Sequence, residues 1–199
     1  MNLGKNWKLF LFFAVVIYFG IRHWQLREID HPPGIIAPNP PIQTNITNPI
    51  PFFFDGFTIT PLAEFEVEAR VLSREDYSMD PSAVISPMDL ALGWGKMSDQ
   101  SVIDQLDISQ SVRYFTWRAN QFPIPPQEIN VQSANMHIIP GSEEVLDTLE
   151  DIRVGHVVSF KGFLVRVHSD DGFRWQSSLT REDTGKGACE VVFVSSINY

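Results

Sequence analysis

Glu64 to Val71 reads EFEVEARV, in which Phe65, Val67, Ala69 and Val71 alternate with Glu64, Glu66, Glu68 and Arg70. A period of two puts successive side chains on opposite faces of a strand, so this octet predicts a sheet with one buried face and one wet, acidic face. The signal repeats on both sides. Val112 to Arg118 (VRYFTWR) and Ile129 to Ser133 are further strand candidates, and Phe54-Asp55-Gly56-Phe57 has the residues of a tight turn. His156 to Val167 is rich in branched and aromatic residues. Ser169-Asp170-Asp171-Gly172 then supplies a turn from which Phe173 to Leu179 returns antiparallel, and Cys189 to Val194 makes a last strand.

Helical signals are short. Ser86-Pro87-Met88-Asp89 offers a capping hydroxyl, a proline at the first helical position and an acid in the first turn, with Gly93 as terminator. A second short helix is expected after Ser98 or Asp99. A third starts after Ser142, where Val145, Leu146, Leu149 and Ile152 recur at helical spacing before Gly155. The expected fold class is mainly β (α+β): a small, partly open barrel or sandwich with two or three short helices, preceded by one transmembrane helix and a proline-rich linker.

The transmembrane expectation rests on Leu9 to Ile21, LFLFFAVVIYFGI, an uncharged run between Lys8 and Arg22. Such a run spans only about 20 Å, but Trp7 and Trp24 suit the interfaces and extend the reach to about 27 Å against a hydrocarbon core of roughly 30 Å. A cleaved signal peptide has the same anatomy, yet no small-x-small site follows, since Gly20 is flanked by Tyr18, Phe19, Ile21 and Arg22. An uncleaved signal anchor is therefore favoured. The short tail before it implies an N-in orientation, and a C-terminal body outside the cytoplasm, in the periplasm if the source is bacterial. The expected organisation is a tail over 1–8, the anchor over 9–24, a linker over 25–51 and a β-rich domain over 52–199. The linker expectation comes from seven of the fourteen prolines lying between His31 and Pro51, a density that favours extended polyproline II; a proline-recognition ligand is the alternative. Asn45-Ile46-Thr47 is a sequon, relevant only in a eukaryotic secretory pathway.

Charge narrows the partners. The 199 residues carry 15 Lys plus Arg against 24 Asp plus Glu, a net −9. Residues 1–30 hold +2, so the remainder holds −11, which repels phosphate backbones and makes nucleic acid a poor partner. Beyond the membrane, contacted through residues 7–24, a protein, peptide or glycan fits better. One cysteine and five scattered histidines give no metal-ligand spacing, and no cofactor motif is present.

Residues able to carry chemistry are few. Ser177 to Glu190, SSLTREDTGKGACE, gathers hydroxyls, Arg181, Asp183, Gly185, Gly187 and the sole thiol Cys189. It is either a polar hairpin loop or an anion-binding nest built on its glycines. Cys189 is either buried and inert or a nucleophile, in which case His137, beside Asn135 at a strand-to-loop transition, would be the base and Arg181 an oxyanion or substrate clamp. Trp94 lies between Gly93 and Gly95 and, with Trp117 and Trp175, would line a sugar- or peptide-binding surface if exposed; the alternative is a core tryptophan. The leading expectation is a membrane-anchored binding or accessory domain, and the alternative is a cysteine hydrolase or transpeptidase.

The order of anchor, β-rich body, histidine, Leu149-Glu150-Asp151-Ile152-Arg153-Val154-Gly155 strand entry and later cysteine resembles the layout of sortase transpeptidases over about the last third of the chain. The likeness stops at the nucleophile. Lys186-Gly187-Ala188 precedes Cys189 in place of a Thr-x-Thr approach, and no arginine follows it.

Overall fold

The computed structural model describes residues 7–25, 27–180 and 189–199, with 21–25 described by backbone alone. After helix α1 (Trp7–Gln25) come strands β1 (Ile42–Asn45), β2 (Phe52–Phe54), β3 (Phe57–Asp76) and β4 (Met88–Gly93), then a 3-10 turn over Gly95–Ser98 and helix α2 (Gln100–Ile103). The hairpin β5 (Asp107–Ser111) and β6 (Tyr114–Arg118) follows, then α3 (Pro126–Val131), β7 (Ser133–Pro140), α4 (Glu143–Glu150), β8 (Val157–His168), β9 (Arg174–Gln176) and β10 (Glu190–Asn198). Among the described residues the chain is mainly β, with a large mixed sheet, the 19-residue helix α1 and the short helices α2, α3 and α4.

The predicted octet lies inside β3, a strand of 20 residues whose length is the key to the architecture. Its first part pairs with β8 from Thr58 to Arg70, and its last part pairs with β4 from Arg70 to Asp76. Register shifts between Pro61 and Ala63 and between Val71 and Ser73 let the strand bend between these partners. Pairing then runs from β4 to β7, β10, β8 and back to β3, so the circuit closes; only β7 with β10 is parallel. This is the connectivity of an OB-type Greek-key barrel, with α4 between its third and fourth strands.

Alternation fills the barrel as the sequence implies. Phe65, Val67, Ala69 and Val71 meet Leu90, Leu92, Met136, Ile138, Leu164 and Val192 inside it. Helix α4 adds Val145 and Leu149, with Ile152 just beyond, and Ser142 Oγ accepts from Val145 N at 3.2 Å as the cap. Asp99 likewise caps α2 by accepting from Ser101 N.

Several local expectations are corrected. Ser86 to Gly93 holds no helix: Met88–Gly93 is β4, buried at all six positions. Its inner face (Met88, Leu90, Leu92) packs in the barrel, while its outer face (Asp89, Ala91) is covered by other elements, so it lacks the polar alternation that marks a half-wet strand. Ile129 to Ser133 is not a strand. Pro126 starts α3, Ile129 is its buried residue, and β7 begins only at Ser133. In the expected Val112 to Arg118 strand, Val112 and Arg113 form the hairpin turn, at φ 51° and 67°, and β6 starts at Tyr114.

The stretch expected as a free spacer is laid along the domain. Ile29 N donates to Val154 O at 2.9 Å, His31 N to Gln100 Oε1 at 2.9 Å and Gly34 N to Asp99 Oδ1 at 2.9 Å, and Ala37 is fully buried. β1 pairs with β3 at Ile42–Asn45. Beneath this strap lies Arg70, 1 % exposed, whose Nη2 donates to Gln100 Oε1. Gly155, at φ 93°, is required here, because a Cβ would collide with the Ile29 carbonyl.

Upstream, the side chains of residues 7–20 are all exposed. Among the described residues no helix is long and apolar enough to cross a membrane, so the transmembrane part of the expected architecture gains no support from the fold.

Candidate functional site

Strands β4, β7 and β10 lie side by side, with Asp89 opposite His137 and His137 opposite Val191. Their outer face therefore groups Asp89, Asn135, His137 and, two residues before Val191, Cys189. Polar groups on a barrel wall need partners once covered, and the β5–β6 hairpin supplies them. Arg113, at its tip, reaches Asp89 Oδ1 with Nη1 at 2.7 Å, and with Nη2 it reaches Asp80 Oδ2 and Ser86 O, each at 2.9 Å. Its guanidinium carbon lies 3.7 Å from the Tyr77 ring centroid, and its backbone N donates to Tyr77 Oη at 3.0 Å.

These contacts set the local electrostatics. The Asp89 side chain is 0 % exposed, so its charge depends on neighbours rather than water. Burial, with the Asp89 charge adding to it, pushes the Tyr77 hydroxyl up to about 12 against the opposing pull of Arg113. Asp80 loses solvent too, but hydrogen bonds from Ser82 and the Arg113 charge outweigh that and hold its carboxyl below the usual range.

Asn135 ties the hairpin to the barrel. Its Nδ2 donates to Arg113 O at 3.1 Å and to Asp89 Oδ2 at 3.4 Å, and lies 3.9 Å from Cys189 Sγ, while its Oδ1 accepts from Gln110 Nε2 at 2.6 Å. His137 Nδ1 lies 2.9 Å from Asp89 Oδ1, but the approach is off the line a hydrogen bond requires. The ring of His137 is held by Trp175, with centroids 4.6 Å apart and planes 42° apart.

Between the hairpin tip and β9 these residues leave a cleft of about 380 Å³, within the range of small-ligand sites. Val112, Arg113 and Tyr114 form one wall and Phe173 to Gln176 the other, with His137 and Cys189 between them. No carboxylate lines it among the described residues.

Of the residues singled out from sequence, Cys189 and His137 thus share a cleft, with Asn135 next to the thiol. The described contacts of Cys189 Sγ are Asn135 Nδ2 and Arg113 O, both at 3.9 Å, and none is with His137. Arg181, Asp183, Gly185 and Gly187 lie outside the described residues. Trp94 is corrected as a ligand surface: it is 2 % exposed and packed in the barrel core. Its flanking glycines serve close packing, Gly93 against Met97 O and Gly95 against the Gln132 side chain. Trp117 is half-buried against the cluster that holds Leu72, Ala91, Met97 and Ile129, and Trp175 alone of the three lines the cleft.

Asp89, Arg113 and Tyr77 were not found from sequence. The local pattern makes Asp89 a first-turn helix acid, although one acid inside the apolar run Met88–Gly93 is a usable sign of a buried charge. Nothing within a few positions of Arg113 distinguishes it from an ordinary strand residue. Among the described residues no group of three His, Cys, Asp or Glu is placed to hold a metal ion.

No family model, no curated protein and no solved structure matches the chain.

Proposed function

We propose that the chain is a single-pass membrane-anchored protein whose β-barrel domain lies outside the cytoplasm, in the periplasm if the source is bacterial, and works as a binding or accessory module. The observation that carries the anchor is the helix itself. Over residues 7–20 every described side chain is exposed, including Leu9, Phe10, Phe12, Ile17 and Phe19, each more than half exposed. A continuous apolar surface of that kind on a helix needs an apolar solvent or partner, and Lys8 and Trp7 at its start suit a headgroup region. The ligand site is the cleft between the 112–114 tip and β9, where aromatic walls and a few convergent polar groups meet.

Alkaline carbonate extraction of membranes tests the anchor, and paired C-terminal alkaline phosphatase and fluorescent-protein fusions test the side. The reading expects the full chain in the carbonate-resistant pellet and an active phosphatase fusion. Release into the soluble fraction, or a fluorescent but phosphatase-negative pair, overturns it.

A cysteine hydrolase or transpeptidase is the second reading, favoured by Cys189 and His137 lining one cleft. It requires His137 to lower the thiol pKa. Alkylation of Cys189 well below pH 8 that is lost in His137→Ala supports it, and a pH profile unchanged by His137→Ala removes it.

A further inference from the structure

The far wall of the cleft, β9, also bounds a second hollow. On the other side of that strand this hollow, of about 420 Å³, is lined by Thr60, Arg166, His168, Arg174, Trp175 and Gln176. Arg174, Trp175 and Gln176 line both hollows, which therefore flank β9. Pairing of β8 with β9 sets Arg166 opposite Gln176 and His168 opposite Arg174, which groups Arg166, His168, Arg174 and Gln176 on one exposed face. Trp175 points the other way, toward His137.

The hollow beyond β9 is lined by two arginines, Arg166 and Arg174, whereas Arg113 in the cleft is already paired with Asp80 and Asp89. No carboxylate lines either hollow among the described residues, although the protein carries −9 overall. Arg166 gives one hydrogen bond, Nε to Gln176 Oε1 at 2.7 Å, and neither Arg166 nor Arg174 forms an ion pair among the described residues. The nearest acids in sequence are Asp170 and Asp171, in the turn before β9. The Asp171 carboxylate is engaged there by Ser169 Oγ and Phe173 N. Arginine pairs in a fork with carboxylates, and half-buried aromatic rings beside them offer faces for a ring-bearing ligand.

We infer that the two hollows flanking β9 together bind an anionic saccharide, with its carboxylates on Arg166 and Arg174 and a sugar ring against the exposed part of Trp175 or Tyr114. The inference rests on the cleft being a ligand site and adds the class of ligand. Consecutive uronate rings carry one planar carboxylate each, so an oligosaccharide presents two carboxylates to two arginines in the fork geometry that a guanidinium pairs with best.

The test is calorimetric titration of the full chain, in non-ionic micelles at low and moderate salt, with hexagalacturonate, its methyl ester and an oligothymidylate of similar length. Amide chemical shifts locate the site. The expected result is binding of the free acid alone, with shifts at 112–114 and 174–176. Affinity falls at least about tenfold in Arg166→Gln/Arg174→Gln and falls with salt, while the control Lys96→Gln leaves it unchanged. Both arginines are exposed, so an unchanged thermal midpoint shows that the double variant is folded. Equal binding of the ester in the same place overturns the charge assignment and leaves the cleft as a site. Shifts confined to another surface overturn the cleft itself. Tighter binding of the oligothymidylate, or no binding of either saccharide, overturns the saccharide class.

Discussion

Arg113→Met removes the guanidinium that, alone among the Lys and Arg side chains of the described residues, pairs with the buried Asp89, and keeps the bulk of the side chain. Asp89 would then retain Asn135 Nδ2 at 3.4 Å and the poorly aligned His137 Nδ1, neither of which replaces a guanidinium at 2.7 Å. Orphaning one member of a buried ion pair costs about 3–5 kcal/mol. Arg113 keeps 14 % of its side chain exposed, whereas Asp89 keeps none, so the lower end, about 3 kcal/mol, is expected. Against a total stability of about 5–15 kcal/mol that is a large loss. Asp89→Leu/Arg113→Met, which removes both charges, should recover most of it, because a buried pair replaced by apolar groups is close to neutral. Urea unfolding of the full chain in non-ionic micelles, followed by tryptophan fluorescence, measures all corners of the cycle. A loss under about 1 kcal/mol for Arg113→Met, the size of an exposed salt bridge, or a double variant no more stable than the single one, refutes the reading of Arg113 as the pin that holds the hairpin over the barrel wall.

Leu149→Ala in α4, at a fully buried position that closes the barrel, should cost about 2–5 kcal/mol by urea unfolding; a loss under 1 kcal/mol would mean that the helix is not a plug. Ser142→Ala should cost about 1 kcal/mol through the lost cap, and Ser142→Asp should restore it. Asp99 is held below the usual carboxylate range, first by the Gly34 N–H and then by Ser101. A depressed folded pKa gives stability that is complete above the unfolded value of 3.8 and lost as pH falls through the folded value. Hydrogen exchange at Gly34 and Ser101 should therefore be protected above that pH and lose protection below it, and Asp99→Ala should abolish the dependence. Burial, then Arg153 and His31, lower the pKa of His156, so its contribution is present above the unfolded 6.5 and declines as pH falls through the folded value. His156→Gln should flatten the thermal midpoint against pH below 6.5, and a slope that persists unchanged would place the titration elsewhere.

Legibility in the sequence followed solvent exposure. The octet in β3, the turn at Asp55-Gly56, the caps Asp99 and Ser142 and the β8–β9 turn were readable because each is decided by residues within a few positions of itself. β4 departs from the expected helix because both of its faces are covered, one by the barrel and one by the hairpin, and no local signal reports what covers a strand. The 25–51 segment departs from a free spacer for a related reason. Proline density reports that backbone donors are missing, but not that Ile29, His31 and Gly34 find acceptors more than sixty residues away. At the site, His137, Asn135 and Cys189 stood out by chemical type. Their partners Asp89 and Arg113 did not, because the pair forms only when the hairpin folds back across the sheet.

The placement of the barrel domain beyond a lipid bilayer is tested most directly by labelling one engineered thiol. Met79 is 96 % exposed, so Met79→Cys in a Cys189→Ser background offers a single accessible sulfur on the domain. In intact spheroplasts a membrane-impermeant maleimide should label it as fully as after lysis, with the chain recovered in the membrane fraction. Labelling that appears only after lysis, or a chain recovered in the soluble fraction, contradicts the account.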